Sequence, residues 1–214
     1  MRDCMFYVAD MNMAEAFRGF LSRPQFHQSL GCGPFQFDSL HDIARAEGKT
    51  DGGLWRHAGG LCKGYLQTHH RLVVCLDRDF GGSPGQAQIR SDIEGQLVAV
   101  GWQPEAFKVL VIDPELEQWI WQDNIHVQNA LQHAGNQSLR ATLLASGDWP
   151  AGAAKPLDPK GVLERIVRAN LRGNRSSALY SKITSKVSVG GCQDGEFISL
   201  KKQLSIWFPV EVPA

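Results

Sequence analysis

Short apolar runs that end on acids recur along this chain. "CMFYVA" (4–9) stops at Asp10, "RLVVCLD" (71–77) ends in Asp77, and "AFKVLVID" (106–113) ends in Asp113. Each run is continuous and rich in β-branched or aromatic residues, as in parallel strands buried on both faces. Between them the period changes. Met13, Phe17 and Phe20 or Leu21 fall at helical spacing and end before Pro24. Ile89, Ile93 and Leu97 stand four apart and predict an amphipathic helix over 86–102. Residues 53–70 form a further helix candidate despite internal glycines. "PFQFDSLHDI" (34–43) alternates apolar and polar, which predicts a second strand leaving at His41-Asp42, and Pro114 opens a helix over 114–124.

Strand and helix thus alternate, and the expected fold class is α/β, a parallel sheet flanked by helices. Ligands of such sheets bind beyond the carboxyl ends of the strands. The expected strand ends carry Asp10, His41-Asp42, Asp77, Asp79, and Asp113 through Glu117. Beyond about residue 134 the texture shifts. "GDWPAGAAKPLDPKG" (147–161) reads as a linker or surface loop. The remainder is helical in pattern, through Val162, Ile166 and Leu171, then Leu179, Ile183 and Val187, then Phe197, Leu200, Leu204 and Trp207. The expected organisation is an α/β domain over 1–147 and a helical C-terminal extension over 148–214 packed on it.

Composition changes this picture little. At 214 residues the chain can bury a core without staples. Lys plus Arg and Asp plus Glu both number 22, so overall charge points to neither a nucleic acid nor a membrane surface. Five cysteines without C-x-x-C spacing make neither a disulfide framework nor a recognisable zinc motif. With no long apolar run, a cytoplasmic location and no membrane partner are expected.

Asp77 and Asp79, at i and i+2 just past a strand, can converge on one hard cation such as Mg²⁺ or Mn²⁺, which takes oxygen ligands. The plain alternative is that acids favour strand-to-helix turns and N-caps. Gly82 extends the pair to D-x-D-x-x-G. "VVCLDRDFGG" resembles the DxDxxG motif of Toprim domains, the fold of topoisomerases, primases and overcoming-lysogenization-defect nucleases. "IDPELEQWIWQD" resembles a signature of small Toprim-like proteins of bacterial restriction and phage-defence loci. "HDIARAEGKTDGG" resembles a His-Asp…Asp-Gly-Gly stretch of defence-associated members, and the C-terminal segment resembles their helical tail. Where those domains place a first Glu, this chain has Ala9 and Asp10.

The resemblance implies a Toprim-like sheet and a metal-dependent phosphodiester-cleaving, nuclease-like component of a bacterial phage-defence system. Asp77, Asp79 and Glu117 would hold Mg²⁺ or Mn²⁺, with Asp10 as ligand or acid–base group and Trp119 packing beside Glu117. His41, Asp42, Gly82 and Asp113 are accessory candidates. Arg168, Arg172 and Arg175 form a basic helical face that would contact DNA or RNA phosphates; the alternative is a solvated surface. Glu115 and Glu117 would also serve a helix dipole. His69 and His70, at the amino edge of their strand, are expected on the surface. Two other functions stay open. One is a non-catalytic subunit docking other proteins of the same defence system. The other is a sensor holding Mg²⁺ and a nucleotide.

Overall fold

The computed structural model describes residues 1–47, 50–190 and 192–210. Four parallel strands form one sheet: β1 (Arg2–Val8), β2 (Ile43–Arg45), β3 (His69–Asp77) and β4 (Phe107–Ile112), in the order β2-β1-β3-β4. This is the expected α/β class. Parallel neighbours need crossovers, and helices provide them: α1 (Met11–Leu21) and α2 (Phe26–Leu30), then α3 (Asp51–Cys62), then α4 (Gln86–Ala99). After β4 come the short helices α5 (Glu117–Ile120), α6 (Ile125–Ala130) and α7 (Leu139–Ala145). The longer α8 (Pro159–Asn170), α9 (Ser177–Thr184) and α10 (Gly195–Trp207) complete the chain.

Both faces of the sheet are covered, which is why its strands are continuously apolar. Successive side chains of β1 go to opposite sides. Met5 and Tyr7 join Leu72, Val74 and Leu76 against Leu54 and Ala58 of α3 and Ile89, Ile93 and Leu97 of α4. Cys4, Phe6 and Val8 join Val73, Cys75, Leu110 and Ile112 on the other face. There the cover comes from α1 and from the C-terminal segment, through Tyr180, Ile183, Phe197, Leu200 and Leu204. The hydrophobic core therefore runs without a break from the sheet into the last helices.

One close approach fixes this packing. A Cβ on Gly19 of α1 would lie 2.5 Å from the Ser181 carbonyl oxygen of α9, a backbone atom that cannot swing away. Gly19→Ala should therefore push α9 off α1 and cost about 1–3 kcal/mol. A thermal melt checks this; an unchanged midpoint would mean that the two helices are not held so closely. Elsewhere, the outer edge of β4 is closed by side chains. Gln86 donates to the Val111 carbonyl (2.8 Å), Arg90 donates to the Val109 carbonyl (2.6 Å), and the Val111 N–H donates to Glu196 (3.1 Å).

Several elements differ from the sequence reading. The expected strand over 34–43 joins the ladder only at Ile43: residues 34–38 have no regular structure, and 39–42 form a turn in which the His41 and Asp42 N–H groups donate to the Asp38 carbonyl (3.0 and 2.8 Å). Pro34 has no N–H to give, and side chains hold the stretch instead. Phe35 stacks on Phe208 with centroids 4.4 Å apart, and Phe37 meets Phe6 edge-on at 6.0 Å. The strand that pairs with β1 on this side is β2, which starts only at Ile43, the last residue of that stretch. The helix expected over 114–124 shrinks to α5, because the Asp79 N–H bonds the Pro114 carbonyl (3.1 Å) and holds 113–116 as a turn. The Pro- and Gly-rich stretch after Gly147 is pinned as well. Trp149 is buried against Trp121, donates to Ala153 (2.9 Å), and lies under the Arg140 guanidinium.

Candidate functional site at the carboxyl edge

Three strand ends and two helix starts bring acids together where β1 and β3 stop. Asp10 follows β1 directly. It caps α1, accepting the Met13 N–H at 2.8 Å, in the manner of N-terminal Asp caps. Asp77 is the last residue of β3, held in register opposite Ile112. Asp51, in the first turn of α3, accepts the Asp77 backbone N–H at 2.8 Å and so ties that helix to the end of β3. Glu115 and Glu117 come from the turn after β4 and the start of α5.

Asp77 is the electrostatic focus. Its Oδ1 is shielded from solvent and has no hydrogen-bond partner among the described residues. Burial pushes its carboxyl well above the ordinary carboxylate range, and the charges of Asp51, Glu117, Asp10 and Glu115 push it further. Asp51 is raised too, by burial first and by Asp10 in part, against the bond it accepts from the Asp77 N–H. Burial likewise raises Glu115, although Lys160 of α8 donates to it at 2.8 Å. A protein gains nothing in stability by pressing carboxylates on one buried oxygen unless something positive is meant to meet it.

Glu117 is 2% exposed and already bonded. Arg175 and the Tyr180 hydroxyl both donate to its Oε1, and Arg175 also donates to the Tyr180 hydroxyl at 2.7 Å. Burial, followed by the Glu117 charge, drives the Tyr180 hydroxyl far upward, so it stays a donor. Two cations of the C-terminal segment, Lys160 and Arg175, thus face two acids of the 113–117 turn. Trp119 packs edge-on against Phe17 and Phe197 and donates to Asp194 at 2.8 Å.

The other candidates are dispersed. Asp79 is exposed and is not among the carboxylates that act most strongly on Asp77. Asp113 pairs with Arg78 at 2.8 Å on the surface. Gly82 has a φ of +78°, a left-handed turn position that favours glycine, so the last letter of D-x-D-x-x-G is explained by backbone alone. Arg168 and Arg172 are exposed; Arg172 lies past the end of α8 rather than on one helical face with Arg168.

His41 and Asp42 are a correction. They precede β2 instead of ending a strand, and parallel pairing puts them at the amino edge, across the sheet from Asp77. Asp42 is 1% exposed there. Arg2 grips both its oxygens, the Asp38 N–H donates at 2.6 Å, and His69 Nε2 lies 3.2 Å away. Burial raises the Asp42 carboxyl, but these partners outweigh it and the net direction is down. His69 is a second correction, since it is buried and its pKa is lowered by that burial. The cluster stitches together the starts of β1, β2 and β3. His41 itself is exposed.

Sequence reasoning missed Lys160 and Tyr180 as partners of the acids. It met Asp51 only inside the Asp-Gly-Gly stretch. The one available signal was position, an acid at the start of a helix that returns to the sheet. Among the described residues, no three His, Cys, Asp or Glu side chains are arranged to hold a metal together. The unpartnered Asp77 oxygen nonetheless fits a hard cation held by one or two carboxylates with waters, as Mg²⁺ commonly is. None of the helices among the described residues is long and apolar enough to cross a membrane. Comparison of the chain with protein-family models, with curated proteins and with solved structures finds no match.

Proposed function

We propose that this chain is a Toprim-like, divalent-cation-dependent phosphodiester-cleaving component of a bacterial phage-defence system. The observation that carries the reading is the shielded, unpartnered Asp77 Oδ1, set among Asp51, Glu117, Asp10 and Glu115 at the carboxyl edge of a parallel sheet. That edge is the usual ligand-binding place in such folds. The defence setting and the nucleic-acid substrate rest on the sequence resemblance. Asp77, with Asp10 and Asp51 beside it, would hold Mg²⁺ or Mn²⁺. The ion, when bound, supplies charge to a phosphoryl oxygen and acidifies water. Asp10 is the acid nearest in sequence to the missing first Glu. As an N-cap its carboxylate is oriented by Met13, which fixes its position.

Metal titration tests this directly. Mg²⁺ or Mn²⁺ should raise the melting temperature, by about 2.7 kcal/mol in stability at a hundred times Kd. Asp77→Asn should abolish the gain. Cleavage of single-stranded and double-stranded DNA and of RNA should follow the same dependence. If neither ion stabilises the wild-type chain, the cation reading fails.

One observation favours a second reading, a non-catalytic subunit that docks partners. Glu117 is already satisfied by Arg175 and Tyr180, as a purely structural carboxylate would be. Metal binding without cleavage of any of these substrates would favour that subunit.

A further inference from the structure

Beside the acidic edge lies an open recess of about 260 Å³, lined by Glu164, Arg168, Gly173, Asn174 and Arg175. Arg175 belongs to both places. One guanidinium nitrogen, Nη1, reaches Glu117 and Tyr180, while Nη2 lies 3.7 Å from Glu164 at the recess. Glu117 is buried, so an arginine that simply left it would strand an uncompensated carboxylate, a strongly unfavourable state. A divalent cation held at Asp77 would lessen that obstacle, because Glu117 lies near enough to act on Asp77 and so to feel the ion's charge. The released guanidinium then presents its fork to the recess, next to Arg168. That fork matches two oxygens of a phosphodiester group.

We propose that Arg175 exchanges Glu117 for a phosphodiester of a nucleic-acid strand bound in this recess, so that anion and cation each favour the binding of the other. The proposal rests on the reading of the acidic edge as a cation site. It adds a substrate contact and a coupling: metal without substrate meets an edge still occupied by Arg175, and substrate without metal meets an arginine that is engaged.

The test is a thermodynamic cycle by calorimetry on the full chain, with Mg²⁺ and the dinucleotide thymidylyl-thymidine as probes. Mg²⁺ should raise dinucleotide affinity about tenfold, and the dinucleotide should raise Mg²⁺ affinity by the same factor, as linkage requires. Glu117→Gln keeps the size and the Tyr180 bond but removes the charge that retains Arg175. It should bind the dinucleotide more tightly than wild type without Mg²⁺, and Mg²⁺ should then add little. Arg168→Gln, at an exposed position, should weaken the dinucleotide several-fold and leave Mg²⁺ affinity unchanged. If Mg²⁺ binds in an Asp77-dependent way but the two ligands act independently, the exchange is wrong and the cation reading stands. If no metal binds at all, both fall. The wild-type cycle decides the matter even where a variant does not fold.

Discussion

Asp77→Asn should make the metal-free protein more stable at neutral pH, the reverse of the usual effect of altering a shielded polar group. The Asp77 carboxyl is held well above its ordinary range by burial and by four neighbouring carboxylates. A raised carboxyl favours the folded state at low pH, where folded and unfolded chains are both protonated. As pH rises past the ordinary Asp value, the unfolded chain ionises first and stability falls, until the folded carboxyl ionises as well. At neutral pH the unfolded carboxyl is ionised, and the wild type carries this penalty. Asn keeps the shape and drops the charge. The expected gain is at least about 1 kcal/mol, or roughly 2–4 °C in melting temperature for a chain of this size. The gain should vanish in acid. The amino edge runs the other way: Asp42 and His69 are both lowered, so each loses stability as pH falls. In Asp77→Asn that loss is no longer offset, and the acid side of the stability curve should steepen. Melts from neutral to mildly acidic pH, with and without the substitution, measure both effects. A variant less stable than wild type at neutral pH would mean that Asp77 has a positive partner in the free protein.

Truncation after Asp148 should abolish the native fold. The removed residues include Tyr180, Ile183, Phe197, Leu200 and Leu204, all buried on the face that also holds Phe6, Val73 and Leu110. Each large side chain contributes about 1.5–3 kcal/mol by burial, so together they rival the whole stability of a domain, on the order of 5–15 kcal/mol. Loss of Tyr180 and Arg175 also leaves Glu117 facing the core without a counter-charge. Aggregation on size exclusion, or a chain without a cooperative melt, is the expected result. A monomeric, cooperatively melting truncation would show that the C-terminal helices are an accessory layer.

What was legible in the sequence follows from which forces are local. β3 and α4 declared themselves because their burial is regular, continuous at Leu72–Leu76 and four apart at Ile89, Ile93 and Leu97. β2 did not. Three residues carry no period, while Phe35 and Phe37 imitate one through contacts with Phe208 and Phe6 that lie far off in sequence. The same error carried His41 and Asp42 to the wrong edge. Asp10 and Asp77 were placed at the carboxyl edge because a strand end fixes direction. Asp79, one pleat further on, was grouped with them although it points to solvent. The partners Lys160, Arg175 and Tyr180 come from α8, the loop after it and α9, more than forty residues downstream of their acids. No spacing rule reaches that far, and pairing across such a distance is decided by how α8 and α9 pack.

The side chains along β4 bear on the order in which the protein is made. Two of them, Gln86 and Arg90, are synthesised before β4; the third, Glu196, comes from the last helix. Until that helix has left the ribosome the Val111 N–H lacks its Glu196 partner, and any strands that have paired by then present an open border to extended chain nearby. At ordinary rates of synthesis the interval between Ile112 and Glu196 lasts on the order of ten seconds. The finished molecule is closed to strand addition along this stretch, so its time of exposure comes during birth. A helix that the sequence displays as a tail is, on that timescale, the latch that ends it.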